Sequence, residues 1–148
     1  LLLADQLPPL GGDTLFANQF LAYEALSPGL LATLGPMKAV HVYPGFGEGD
    51  PHTTAVHPVV RTHPVVGKRA LFVNPAFVTR LEAMTGQESD PILSYLYHHQ
   101  VRPEFCARVS WATNQLTLWD NRAVLHYAVN DYPGFRRRLQ RVTVMERA

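Results

Sequence analysis

Apolar residues recur along this chain at two spacings, and the elements follow from where one gives way to the other. Residues 1–4 form an unbroken apolar run that reads as a strand. After the loop Pro8-Pro9-Leu10-Gly11-Gly12, residues Leu15, Phe16, Phe20, Leu21 and Tyr23 fall near helical spacing. Asp13 or Thr14 ahead of them can cap a helix running to about Leu26. Ser27-Pro28 starts a second short helix through Leu34, which Gly35-Pro36 ends. Strands are predicted at 38–43, 59–62 and 71–73, the last two around the turn His63-Pro64-Val65-Val66-Gly67-Lys68. Ser89-Asp90-Pro91 opens a third helix that presents Ile92, Leu93, Leu96 and Tyr97 to a sheet and ends before Arg102-Pro103. His98 and His99 lie near its last carbonyls, where they read as a cap.

Beyond this helix the period changes to two. Phe105, Ala107, Val109 and Trp111 alternate with Cys106, Arg108 and Ser110, giving a half-buried strand. The runs 116–119 and 124–127 read as a β-hairpin, Asn130-Asp131-Tyr132-Pro133-Gly134 as a turn, and 139–145 as a further alternating strand. In an extended strand Arg137, Leu139 and Arg141 share a face, with the two arginines roughly 13 Å apart at about 3.3 Å per residue. Two cations on one face call for two anions. Helices early and midway, strands gathered at the end, and no GxGxxG or βαβ rhythm predict a mainly β, antiparallel domain over 1–148 with flanking helices.

Composition narrows the partners. Thirteen basic and 12 acidic residues give a net charge of +1 without long blocks of one sign, so neither nucleic acid nor an anionic membrane finds a matching surface. A small-molecule partner is expected. Cys106 is the only cysteine, which excludes an internal disulfide, and no apolar run approaches the roughly 20 residues of a membrane span; a cytoplasmic address follows as an expectation. Cys106 reads as a packing residue. The glycine- and proline-rich stretch 44–54 is a connector or a mobile lid. His57 and His63 share a strand face by parity, so a metal pair is conceivable; each precedes proline, and strand-end or turn positions explain them better.

Four separated motifs, in order, carry a resemblance to a known family. They are Gly11-Gly12-Asp13-Thr14-Leu15-Phe16-Ala17 with Ala22-Tyr23-Glu24-Ala25-Leu26-Ser27; His57-Pro58-Val59-Val60-Arg61-Thr62-His63-Pro64 with Gly67-Lys68; Leu71-Phe72-Val73-Asn74; and Trp119-Asp120-Asn121-Arg122 followed by His126, Tyr127-Ala128, Asp131-Tyr132 and a run of arginines. Together they resemble the taurine dioxygenase / 2,4-dichlorophenoxyacetate dioxygenase family of Fe(II)- and 2-oxoglutarate-dependent oxygenases.

The resemblance implies a double-stranded β-helix, or jelly roll, lacking its N-terminal part. It implies that His126 is one of three iron ligands and that Arg137 with Thr14 holds the far carboxylate of 2-oxoglutarate. Arg141 would bind the acidic head of the substrate: a sulfonate such as taurine, an alkyl sulfate or a carboxylate. Phe77 would form a wall of the substrate pocket, its other reading being a core aromatic, and Phe46 would belong to the lid. Trp119 and Arg122 are further candidates to line the site. The reaction would be hydroxylation coupled to conversion of 2-oxoglutarate and O2 to succinate and CO2, and a homo-oligomer is a possible assembly. The family's His-X-Asp ligand pair is expected shortly before Leu1, because none of the seven histidines is followed two places on by Asp or Glu. The opening Leu1-Leu2-Leu3-Ala4 therefore reads as a cut into a buried strand, and the isolated chain is expected to be inactive. The competing expectation is a non-catalytic jelly roll that binds a small acid or a protein partner without iron.

Overall fold

The computed structural model describes residues 1–45, 47–49 and 52–144; Phe46 lies outside the described residues. In chain order the strands are β1 (Leu2–Gln6), β2 (Thr14–Asn18), β3 (Lys38–Val42), β4 (Thr54–Pro58), β5 (Val60–Thr62), β6 (Arg69–Leu71), β7 (Val78–Leu81), β8 (Cys106–Val109), β9 (Leu116–Thr117), β10 (Val124–Ala128) and β11 (Arg138–Arg141). Helices α1 (Gln19–Glu24) and α2 (Pro28–Leu34) follow β2, and α3 (Gly86–His99) follows β7. The mainly β, antiparallel class with flanking helices holds.

Two three-stranded sheets, β11-β1-β9 and β10-β2-β8, are built from the two ends of the chain. The backbone passes from the first sheet (β1) to the second (β2), resumes there at β8 and then alternates through β9, β10 and β11. This alternation of consecutive strands between two sheets is the winding of a jelly roll. The middle of the chain forms the sheet β4-β3-β7 and the pair β5-β6, with α3 packed against β7 and α1 against β6. The apolar core lies there: Ala22, Leu26, Leu34, Ala39, Val59, Leu71, Val73, Leu81, Leu93 and Leu96 are buried in one cluster. No helix among the described residues is long and apolar enough to cross a membrane.

Several sequence expectations give way to tertiary pairing. The predicted first helix begins instead as β2, because 14–18 finds ladder partners on both sides in β10 and β8. Asn18, not Asp13 or Thr14, caps α1: its Oδ1 accepts from the amides of Phe20 and Leu21 at 3.0 and 3.3 Å. Helix α3 starts three residues before Ser89, at a capping box in which Thr85 and Glu88 satisfy each other's backbone amides. Ser89 is buried, accepting from the Leu81 amide and donating to the Thr85 carbonyl. The runs 116–119 and 124–127 are not a hairpin: β9 pairs with β1 and β10 with β2, because the intervening turn crosses between sheets. His99 is no cap either, since its Nε2 bonds the buried Ala22 carbonyl at 2.7 Å and ties α3 to α1. His57 lies on β4 opposite Ala39, whereas His63 follows β5 and bonds Asp120, so the two share no strand face.

Candidate active site

The sheet β10-β2-β8 sets the site by register. Phe16 stands opposite His126, and Thr14 opposite Ala128. Side chains two apart on a strand share a face, so Thr14 and Phe16 point the same way as His126, with Thr14 displaced along the sheet by roughly 7 Å. Trp119 covers the imidazole of His126 with ring centroids 5.0 Å apart, and Phe16 lies 6.4 Å away. This partial desolvation, helped by the Arg141 guanidinium, pushes the His126 pKa below its ordinary value. The neutral imidazole is the form that can donate a lone pair to a metal.

Gly11 and Gly12, both at positive φ (77° and 72°), turn the chain from the loop into β2. This brings Thr14 against Arg137, which immediately precedes β11. Arg137 donates from Nε to the Gly12 carbonyl at 2.7 Å and from Nη2 to Thr14 Oγ1 at 3.2 Å. Trp111 Nε1 donates to the same Thr14 oxygen at 3.0 Å. Thr14 is 1% exposed, and a hydroxyl has two lone pairs and one proton. Both lone pairs are engaged, which leaves the hydroxyl only its donor capacity, next to a guanidinium that lies near the Asp13 charge but forms no ion pair with a carboxylate among the described residues. A buried hydroxyl forced to donate beside an unpaired guanidinium fits an incoming carboxylate.

Arg137 and Arg141 meet different surroundings. His126, Arg141 and Phe77 line one cavity of about 940 Å³, together with Asn121, Arg122 and Phe72, whereas Thr14 and Arg137 do not line it. Phe77 is set by a turn in which its amide donates to the Asn74 carbonyl at 3.0 Å, and its own carbonyl accepts from Val42 at 2.7 Å. Trp119 Nε1 donates to Asn121 Oδ1 at 2.8 Å. Asp120 takes two donors of Arg122, at 2.9 and 2.6 Å, and His63 Nε2 at 2.9 Å. The Val65 and Val66 amides donate to His63 Nδ1, so Nε2 carries the proton and donates to Asp120. These contacts hold the Asp120 pKa well below the usual carboxylate range, the Arg122 hydrogen bonds being the largest cause.

Trp111 and the Gly12 carbonyl were not legible as site features in the sequence, whereas Trp119, a candidate there, is found packed on His126. The one local signal was the Gly11-Gly12 doublet just ahead of Thr14. Among the described residues, no three His, Cys, Asp or Glu side chains are placed to hold a metal. A facial 2-His-1-carboxylate site needs three. The described residues by themselves therefore do not fit a complete iron centre.

A jelly-roll sheet thus sets an arginine on a buried threonine hydroxyl and, one register step along, a strand histidine. The chain belongs to the taurine catabolism dioxygenase TauD, TfdA family, which it matches over residues 1–143. It is 36% identical to an alpha-ketoglutarate-dependent sulfate ester dioxygenase of Pseudomonas putida, covering 93% of this chain and 51% of that protein. To the alpha-ketoglutarate-dependent sulfonate dioxygenase of Saccharomyces cerevisiae it is 34% identical, covering 84% of this chain and 33% of that protein. The crystal structure of a taurine dioxygenase from Burkholderia xenovorans superposes with a TM-score of 0.86 at 38% identity, covering 93% of this chain and 49% of that one. The chain therefore spans a third to a half of the length of these relatives. The family uses Fe(II) and 2-oxoglutarate.

Proposed function

We propose that this chain is the 2-oxoglutarate-clamping portion of an Fe(II)- and 2-oxoglutarate-dependent dioxygenase acting on a small acidic substrate, a sulfonate, sulfate ester or carboxylate. The observation that carries the reading is the Thr14 hydroxyl, whose two acceptor positions are filled by Trp111 and Arg137 and whose proton is left to donate. In the reading, Arg137 and Thr14 grip the far carboxylate of 2-oxoglutarate by charge-assisted hydrogen bonds. The roughly 7 Å along β2 and β10 to His126 is a span that a five-carbon diacid bridges. Neutral His126 supplies one metal ligand, Trp119 keeps water from its face, and the other two ligands come from polypeptide outside the described residues. Iron, when bound by a complete ligand set, supplies the oxygen chemistry.

Arg141 presents its charge to the cavity shared with His126, and Phe77 forms an apolar wall there. A substrate acid held by Arg141 would put its neighbouring carbon near His126, and a neutral analogue would leave the guanidinium unpaired. The test has two arms on the isolated chain. Calorimetric titration should register 2-oxoglutarate binding, and an assay with Fe(II), O2 and a panel of sulfonates, sulfate esters and carboxylates should register no succinate. No 2-oxoglutarate binding would overturn the clamp, and robust succinate release would overturn the ligand count.

A further inference from the structure

The clamp has a support that the family relationship does not assign. Gly12 presents both of its peptide groups to partners that lie far along the chain: its carbonyl accepts from Arg137 Nε, and its amide donates to Asp131 Oδ1, each at 2.7 Å. Asp131 Oδ2 in turn accepts from Arg108 Nη2 at 3.3 Å. Arg108 Nε reaches Asp13 Oδ2 at 2.5 Å, an oxygen that also accepts from Ser110 at 3.0 Å. One arginine on β8 thus ties together the carboxylates of Asp13, which follows the Gly11-Gly12 strap, and Asp131, which binds it.

The strap is shaped to this arrangement. A Cβ on Gly11 would fall 2.5 Å from Asp131 Oδ1, so the carboxylate occupies the place of a side chain there. A Cβ on Gly12 would fall 3.0 Å from Arg137 Cδ, so the arginine stem lies against the strap from the other side. Positive φ at both positions makes any side chain strained as well. Arg137 Nε is anchored on the Gly12 carbonyl, and the two peptide groups that meet at Gly12 are held on both sides, the first by its amide on Asp131 and the second through the next residue, Asp13, on Arg108.

We infer that Asp131, braced by Arg108, is a positioning residue for the carboxylate clamp: it pins the Gly11-Gly12 strap at the Gly12 amide, and so holds the neighbouring carbonyl on which Arg137 is aimed. The inference rests on the proposed binding of 2-oxoglutarate but has a readout that does not require it. The Nε proton of Arg137, held on a carbonyl, should give a separate nitrogen–proton NMR signal with slowed solvent exchange. Asp131→Ala should abolish that protection and weaken 2-oxoglutarate about tenfold, the size of one lost charge-assisted hydrogen bond. Asp131→Asn keeps an acceptor for the Gly12 amide and should restore both, which a merely structural role would not require. Arg108→Met, at the more exposed end of the brace, should give a smaller change of the same kind in a folded chain. In the double variant Gly11→Ala/Asp131→Ala the losses of 2-oxoglutarate affinity should be less than additive, because both disturb the same contact. An unchanged Arg137 Nε signal in both Asp131→Ala and Arg108→Met would overturn the positioning role, as would failure of Asp131→Asn to restore it. If the unaltered chain takes up no 2-oxoglutarate, the functional reading fails, and the Nε signal alone still decides the role of Asp131.

Discussion

From α1 through α3 the chain buries Leu34, Leu71, Leu81 and Leu96 almost completely, whereas no residue of β10 or β11 is buried. The middle region is stabilised by a contiguous apolar cluster. The site region is fixed by directed polar contacts: Arg137 on Gly12 and Thr14, Arg108 on Asp13 and Asp131, Arg122 and His63 on Asp120. It also exposes Leu116, Leu118, Tyr127 and Val142, apolar groups that contribute little to holding it together. Apolar burial is non-directional and gives stability, while hydrogen bonds to charged groups give less net stability and fix geometry. A carboxylate clamp needs geometry, so the division suits a site carried on a separately stabilised scaffold.

The two regions should differ most in how they respond to truncation of an apolar side chain. Leu96→Ala should lower unfolding free energy by about 2–5 kcal/mol, against less than about 0.5 kcal/mol for Leu118→Ala, which is 73% exposed. Equal losses in denaturant titrations would mean that the site sheets share the core. Next in size is the response to acid. Burial pushes the pKa of His41 on β3 down to about 4, so the folded chain resists a proton that the unfolded chain accepts. Stability should therefore be full above about pH 6.5 and fall as the pH drops towards 4. In His41→Asn the steepest part of that loss should vanish. Asp13 in the site region behaves differently: hydrogen bonding from Arg108 lowers its pKa, so its contribution persists above about pH 3.9 and is lost only below it. A stability–pH curve with a single acid limb below pH 4 would remove this distinction.

Smaller effects sharpen the picture. Asp120→Ala leaves the buried His63 Nε2 without its acceptor and should cost about 1–3 kcal/mol, with the Trp119 fluorescence beside His126 changing as the turn loosens. Thr85→Ala removes the α3 cap and should cost about 1 kcal/mol without moving that fluorescence.

How much of this was legible depended on which force set each part. The helix at 28–34 was readable because Ser27 and Pro28 act within one turn, and Ser27 Oγ does accept from Leu30. The strand at 14–18 was not, since Thr14, Phe16 and Phe20 carry a pattern compatible with either period, and only the ladders to β8 and β10 decide it. For the site, Arg137 and Thr14 are 123 residues apart, and no local pattern joins them. The family resemblance named both, and the fold puts them at 3.2 Å. Asp131 and Arg108 escaped notice because a turn aspartate and a strand arginine have sufficient local explanations.

Under the proposed function Arg137 holds the co-substrate and Arg141 does not. This division is tested by the dissociation constant of 2-oxoglutarate, measured by calorimetry for the unaltered chain, Arg137→Leu and Arg141→Leu. Losing the charge-assisted partner in Arg137→Leu should cost about 2–5 kcal/mol of binding, while Arg141→Leu should leave the constant within about threefold. Equal losses in the two variants, or full affinity in Arg137→Leu, would contradict the account.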